Sequence, residues 1–115
     1  MRDDVATVLD IVLACRRIAR FIAGSDQALF LNDERAQWAV ASQFTLIGEA
    51  AGRLSDEFRD QHGEIPWPKI IGMRNRVVHG YDKIDWHLVW TTANRDIPQL
   101  LQLLEPLVPP NDEAN

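Results

Sequence analysis

Apolar side chains recur every three to four residues through most of this chain, and that spacing constrains its fold more than any other feature. From Val5 to Ile22 they mark one face of an amphipathic helix, which Asp3 or Asp4 caps. No stretch alternates apolar and polar side chains as a half-buried strand does. The pattern predicts an all-α fold, an up-and-down bundle of four or five helices.

A second helix is expected from the cap Asn32-Asp33-Glu34 to about Leu54. It carries a bulky apolar stripe and, beside it, a stripe of small residues: Ala41, Thr45, Gly48 and Gly52. Small side chains let another backbone approach closely, so we expect this helix to be packed on two sides.

The spacing predicts a third helix from Pro68 or Lys69 to Val78 or His79. Pro68 suits a first helical position, because its missing N–H has no partner there, and Gly80 is the expected stop.

A fourth helix is expected to begin at an Asp85 cap. Pro98 interrupts it, since proline lacks a backbone donor and its ring clashes with the preceding turn. We therefore expect a kink or short break near Asn94 to Ile97.

The chain has 115 residues, with 12 Lys and Arg against 17 Asp and Glu, which gives a net charge of −5. A single domain over residues 1–108, followed by a polar tail over 109–115, fits this length. The lone cysteine, Cys15, has no disulfide partner, and charged residues interrupt the first apolar region. We therefore expect a cytoplasmic protein with neither a signal peptide nor a membrane span.

The three histidines do not suggest a metal site. No pair among His62, His79 and His87 has the close helical spacing, with cysteine or carboxylate neighbours, that zinc or iron needs. Glycine-rich phosphate loops and nucleophile motifs are also absent from the sequence. We expect neither a metal ion nor a cofactor.

Strongly polar side chains cluster between Met73 and Asp82. There Arg74 offers a permanently charged donor set for a phosphate, and His79 exchanges protons near neutral pH. A metal-free ribonuclease needs a base for the ribose 2′-hydroxyl, an acid for the leaving oxygen and a cation for the developing charge. Arg74 and His79 are about 140° apart around an ideal helix. They converge only if the helix ends between them or a second copy completes the site.

A plainer interpretation is a surface arginine with a helix-terminal histidine that the helix dipole stabilises. The acidic net charge also gives no general attraction to RNA. Around the motif the balance reverses, because four basic residues stand against Asp82 alone between positions 69 and 83. These residues, which are candidate RNA contacts, are Lys69, Arg74, Arg76 and Lys83.

The sequence Arg74-Asn75-x3-His79-x-Tyr81 resembles the R-x4-H-x-Y signature of HepT-like proteins, the minimal toxin branch of the HEPN superfamily. Further stretches look like that family, in its order: Leu46-Ile47-Gly48-Glu49-Ala50-Ala51, Ile65-Pro66-Trp67, Ile71-Gly72-Met73-Arg74-Asn75 and Val89-Trp90. The resemblance therefore covers most of the chain. In one departure, Asp82 follows Tyr81 where the family often has an aromatic or other apolar residue.

The resemblance implies a HEPN domain of four or five helices that forms a homodimer and brings two copies of the motif to one cleft. It also implies a metal-independent ribonuclease that cleaves RNA and arrests growth, as the toxin of a type VII-like toxin–antitoxin system. The implied partner is a minimal, MntA-like nucleotidyltransferase antitoxin, which silences the toxin by transferring AMP from ATP to the motif tyrosine.

Carried over by position, the resemblance implies that Arg74 holds the scissile phosphate and that His79 handles the proton. Asn75, four residues before His79, would orient His79 or the RNA. Tyr81 would be the AMPylated residue. Attached AMP would block RNA by its bulk and compete for Arg74 by its charge.

Two other functions stay open. One is a non-catalytic HEPN binding module that presents Tyr81 or a nucleotide pocket to a nucleotidyltransferase, which the acidic charge and Asp82 favour. The other is a helical assembly protein without a functional site. Replacement of His79 separates catalysis from binding, since loss of toxicity with the complex intact indicates catalysis.

Several other side chains have two interpretations. Trp67, Trp86 and Trp90 could stack on RNA bases, but the apolar stripe that holds Trp86 and Trp90 favours packing in the core or a dimer. Glu49 is either an exposed helix charge or a buried partner of Arg74 or Arg53, and its apolar neighbours favour the pair.

Overall fold

The computed structural model of the protein describes residues 3–78 and 83–110, and the all-α prediction is confirmed there. The α-helices are α1 (Asp4–Ile22), α2 (Gln27–Leu31), α3 (Glu34–Gly52), α4 (Asp56–Gln61), α5 (Trp67–Ile71), α6 (Met73–Val77), α7 (Trp86–Thr91) and α8 (Ile97–Leu104). A π-helical turn, Thr92–Asp96, joins α7 to α8, and a 3-10 turn, Glu105–Leu107, follows α8. The only β-pairing in the described residues is an isolated antiparallel bridge between Val78 and Ile84.

The two longest helices, α1 and α3, run antiparallel and form the centre of the bundle. The Asp4 carboxylate at the start of α1 accepts hydrogen bonds from the backbone N–H and the hydroxyl of Ser55, just beyond the end of α3. Further along, the Arg17 guanidinium donates to Gln43 Oε1 at 3.1 Å. The two hydrogen bonds from Ser55 lower the pKa of Asp4 below its ordinary value, because they stabilise the ionised carboxylate.

Aspartates cap the main helices where the sequence predicts them. The carboxylates of Asp3, Asp33 and Asp85 accept hydrogen bonds from the backbone N–H groups of Val5, Ala36 and Leu88. Each bond satisfies a donor that the first helical turn cannot pair internally.

The break that Pro98 predicts near Asn94 to Ile97 is present as the π-helical turn. The N–H of Ile97 donates to the carbonyl of Thr92, five residues back, instead of to the carbonyl four back as in an α-helix. Pro98, which follows, has no N–H to bond the carbonyl of Asn94. The wider turn accommodates the proline, so α7, the π-helical turn and α8 continue as one rod, the α7–α8 rod.

The connections contain more helix than the sequence predicts. Helices α2 and α4 have only five and six residues, which is too short to display a helical period. The third expected helix is wrong as a single element, because it divides at Gly72 into α5 and α6. Gly72 has φ −86° and ψ 7°, outside the α-helical region, and its N–H donates a hydrogen bond to the carbonyl of Pro68. Helix α6 ends at Val77, one residue before the nearer of the two expected ends, Val78 and His79. The expected stop, Gly80, lies outside the described residues.

Apolar side chains from α1, α3 and the α7–α8 rod fill one core. The largest fully buried ones include Phe30, Phe44, Ile11, Ile18 and Ile47. Cys15 lies in the same core, and burial raises the pKa of its thiol to about 12. None of the described helices is both long and apolar enough to cross a bilayer.

Helix α3 is packed on a second side, as predicted, and the close approach is at Gly48, whereas a Cβ atom at Gly52, the other glycine of the small-residue stripe, would meet nothing within 4 Å. A Cβ atom at Gly48 would lie 2.9 Å from the backbone oxygen of Ile71, at the end of α5. Only glycine allows so close an approach. This contact places α5, and α6 directly after it, against α3.

Candidate functional site

Helix α6 carries the first residues of the predicted motif. Met73 and Val77, four residues apart, are buried against the core, which leaves Arg74 and Asn75 exposed between them. A helix of five residues is not stable by itself, so these two buried side chains and the contacts of α6 with its neighbours set its position. The core thus orients the Arg74 side chain outward.

The chain changes direction immediately after α6. Val78 is extended, with φ −99° and ψ 117°, and it forms the antiparallel bridge to Ile84. The N–H of Asp85 donates to the carbonyl of Val77 at 2.7 Å, so the chain returns beside the end of α6 before α7 begins. The predicted site residues His79 and Tyr81 lie outside the described residues, as do Gly80 and Asp82.

The end of α6 at Val77 meets one condition for Arg74 and His79 to act together. On one continuous helix the two side chains would point about 140° apart. Because the helix ends between them, that restriction does not apply. The end of α6, rather than the residue spacing, therefore allows Arg74 and His79 to share a site.

Arg74 lines an open groove of about 590 Å³ between α3 and the chain that follows α6. The other described residues of the groove are Trp38, Ala41, Ser42, Thr45, Val77, Val78 and Ile84. Within the described parts of the chain, the guanidinium forms no ion pair, and its one hydrogen bond, to Asn75 Oδ1, is at the 3.5 Å limit. Arg74 is thus a cation available to an anionic ligand.

Arg74 is the only predicted basic residue among the described residues that line the groove. Arg76 forms an ion pair with Asp96, with Nη1 and Oδ2 3.3 Å apart, and these two residues share a separate, narrow hollow with Lys69. Lys83 is exposed next to Ile84 in the sequence. The predicted basic residues therefore do not form one patch, because a carboxylate pairs with Arg76 away from Arg74.

The expected burial of Glu49 is wrong. Glu49 is exposed on α3, and no ion pair with Arg53 or Arg74 occurs among the described residues. Its side chain shares a shallow hollow of about 400 Å³ with Arg74. The apolar neighbours in the sequence face other helices, so Glu49 projects from the single open side of α3 at this point.

The preference for a packing role holds for the three predicted tryptophans. Trp67 is buried, and Trp86 and Trp90 are half-buried against Phe30. A fourth tryptophan, Trp38, is the one that lines the groove, and it was not among the predicted site residues. It lies three residues before Ala41 and so heads the small-residue stripe of α3, which is the signal that could have revealed it.

Comparison with known proteins places these features in a family. The model of the family "Ribonuclease HepT-like" matches residues 11–107. The chain is 32% identical over 105 residues to "Probable ribonuclease HepT" of Thermococcus cleftensis, which covers 91% of this chain and 90% of the relative. It is 30% identical over 104 residues to "Putative RNase MJ1380" of Methanocaldococcus jannaschii, covering 90% and 95%.

A relative from Caldanaerobacter subterraneus, "Putative RNase TTE0752", is 31% identical over 90 residues, which is 78% of this chain and 80% of the relative. No solved structure matches the chain closely enough to count as similar. The family match spans the bundle from the middle of α1 to the end of the 3-10 turn. The chain belongs to the HepT-like ribonuclease family.

Proposed function

We propose that this protein is a metal-independent endoribonuclease that acts as the toxin of a type VII-like toxin–antitoxin system in the cytoplasm. The observation that carries the proposal is the end of α6 at Val77, between Arg74 and His79, with the Arg74 guanidinium open to solvent. The family match and the names of the relatives support the ribonuclease class.

In the proposed reaction, His79 accepts the proton of a ribose 2′-hydroxyl. The 2′-oxygen attacks the adjacent phosphorus, and the bond from phosphorus to the 5′-oxygen breaks as that oxygen gains a proton. The products are a 2′,3′-cyclic phosphate and a 5′-hydroxyl. Arg74 holds the phosphate and stabilises the charge that develops on it, while Asn75 orients His79 or the RNA.

The proposed site is shared by two copies of the chain in a homodimer. One histidine cannot both take and give a proton in the same instant, so a second copy of His79 supplies the acid. The surface around Arg74 suits such a shared cleft, because the groove is open and the Arg74 side chain is exposed.

We further propose that a minimal, MntA-like nucleotidyltransferase controls the toxin. The Tyr81 oxygen attacks the α-phosphorus of ATP and loses its proton to solvent. An ester bond to AMP forms, the bond from the α-phosphorus to the oxygen that bridges to the β-phosphorus breaks, and pyrophosphate leaves. The attached AMP places negative charge and bulk in front of Arg74, so Arg74 no longer binds the phosphate of RNA. This control requires no refolding of the bundle.

Growth after induction tests the toxin. We expect arrest by the wild-type chain and normal growth with Arg74→Ala or His79→Ala at equal soluble levels. Arg20→Ala, which removes an exposed arginine near the end of α1, is the matched control and should still arrest growth. RNA from arrested cells, and RNA incubated with purified protein in a chelator, should be cleaved by wild type alone. Equal growth with all four chains would contradict the toxin and favour the non-catalytic binding module.

Mass spectrometry tests the modification. Incubation with ATP and the cognate nucleotidyltransferase should increase the mass of the chain by one or more AMP units and abolish cleavage. Tyr81→Phe should remain unmodified and active under the same conditions. A modified Tyr81→Phe chain would place the modification at another residue.

A further inference from the structure

Trp38 is a large apolar side chain that folding leaves on the surface. It is 54% exposed and lies in the second turn of α3. Its indole is braced edge-on by Trp86, with ring centroids 5.2 Å apart and an interplanar angle of 81°. A rigid aromatic ring that is supported on one side and open on another is typical of a binding surface.

The groove that Trp38 borders combines three kinds of contact. Ala41, Val77, Val78 and Ile84 provide apolar surface, and Arg74 provides positive charge. The hydroxyls of Ser42 and Thr45 donate to carbonyls of their own helix, so they offer the groove hydrogen-bond acceptors. No carboxylate is among the described residues that line it. Its volume of about 590 Å³ lies in the range of clefts that bind small organic ligands.

We propose that Trp38 stacks on an unpaired nucleobase of single-stranded RNA whose phosphate binds Arg74. The proposal rests on the proposed ribonuclease function and adds to it a base-binding subsite. Aromatic stacking next to a cation that binds phosphate is how proteins hold single-stranded RNA, since each nucleotide offers one flat base and one charge. A duplex hides its bases from such a ring, so the subsite selects unpaired regions.

A second copy of the chain is a weaker candidate than RNA for the molecule that covers Trp38 and fills the groove. Protein packed over Trp38 would also cover Arg74, and a guanidinium buried without an acidic partner is costly. RNA phosphate supplies the missing negative charge. The observations therefore favour RNA as the occupant of this groove.

Fluorescence anisotropy with labelled single-stranded RNA tests the proposal in the non-cleaving His79→Ala protein. Adding Trp38→Ala should weaken binding about tenfold, the loss typical of one stacked base. Trp38→Phe, which keeps a ring, should bind nearly as well as Trp38. Trp38→Leu, which keeps apolar bulk without a ring, should bind as weakly as Trp38→Ala. Phe21→Ala is the matched control, because Phe21 is another exposed aromatic, 40% exposed, at the end of α1.

An RNA series with one abasic nucleotide at each position in turn locates the stacked base. At one position the loss of the base should weaken binding to the Trp38 protein and have no further effect in Trp38→Ala, because both changes remove the same contact. Additive losses at every position would overturn the stacking proposal.

Two other results have distinct meanings. Unchanged RNA affinity with a loss of dimer in Trp38→Ala, measured by light scattering, would overturn the RNA subsite and assign the ring to a second copy. A Trp38 protein that binds none of the RNAs would overturn the ribonuclease proposal together with its subsite.

Discussion

The guanidinium of Arg76 and the carboxylate of Asp96 form an ion pair, 3.3 Å between Nη1 and Oδ2, that joins α6 to the π-helical turn. Asp96 also accepts a hydrogen bond from the Arg95 side chain at 3.3 Å. Because Arg76 is two residues from Arg74, this pair helps to hold the helix that presents Arg74 to the groove. We therefore expect Asp96 to act as a positioning residue for Arg74, through Arg76.

We expect Asp96→Asn to lower the rate of RNA cleavage about tenfold or more, since small misplacements of a catalytic group are costly. The free energy of unfolding should fall by only about 1 kcal/mol, because the pair is partly exposed. Exchanging the charges, with Arg76→Asp and Asp96→Arg in one chain, should restore part of the rate. Steady-state cleavage kinetics and urea unfolding measure both effects.

The matched control for this pair is Asp56→Asn in α4. Asp56 forms an ion pair with Arg59, 3.0 Å long, on a surface away from α6. Its loss should leave cleavage unchanged. A wild-type rate in Asp96→Asn would show that Arg76 needs no carboxylate to keep Arg74 in place.

The close contact at Gly48 predicts opposite effects for two glycines of the same helix. Gly48→Ala places a methyl group 2.9 Å from the oxygen of Ile71, and forcing the helices apart should cost about 1–3 kcal/mol of unfolding free energy. Gly52→Ala meets no atom within 4 Å and should stabilise by about 0.5 kcal/mol, because alanine restricts the unfolded chain. Equal stabilities of the two variants in urea unfolding would contradict the packing of α5 on α3.

Thr92 has a buried hydroxyl without a hydrogen-bond partner in the described part of the chain. Thr92→Val keeps the shape and removes this hydroxyl, so we expect a gain of about 1 kcal/mol in stability. Thr7→Val is the matched control, because the equally buried Thr7 hydroxyl donates to the carbonyl of Asp3. That change should lose about 1 kcal/mol. Thermal unfolding distinguishes the two, and destabilisation by Thr92→Val would indicate that this hydroxyl is paired.

Cys15 predicts a pH dependence. Desolvation, and to a smaller extent the charge of Glu105, raise the pKa of the buried thiol from 9.0 to about 12. The folded state therefore favours the neutral thiol, and its stabilisation is complete below pH 9 and lost as the pH rises towards 12. We expect a disulfide reagent to leave the folded protein unmodified at mildly alkaline pH and to modify it at once in guanidinium chloride. Rapid modification of the folded protein would contradict the burial of Cys15.

The long helices were predictable because their signals are repeated. Nineteen residues of α1 display the apolar stripe several times, and Asp3 marks its start. The division at Gly72 and the short helix α2 depend on packing against α3 and α7, which no local pattern records. Helix α4 has only six residues, too few to display a period. Pro98 indicated the position of the irregular turn. Whether that turn is π-helical depends on which carbonyl accepts a hydrogen bond from the N–H of Ile97.

The site was predictable only in part. Arg74 and Asn75 lie exposed on α6, and their roles, like those of His79 and Tyr81, stay predictions. The separation of Arg76 from Arg74 could not be predicted, because Asp96 is twenty residues away in sequence. The exposure of Glu49 and of Trp38 is likewise a property of how neighbouring helices cover α3.

The π-helical turn also bears on which insertions and deletions this fold tolerates. Such a turn holds one residue more than an α-helical turn and absorbs it locally, so the faces of α7 and α8 keep their relative phase. A residue deleted within α8 would instead rotate everything beyond it by about 100°. The extra residue and Pro98 depend on each other, because the wider turn accommodates the proline ring. We therefore expect a variant in which Pro98 is replaced and the exposed Asn94 is deleted to fold stably. Deletion of Asn94 alone should destabilise the fold.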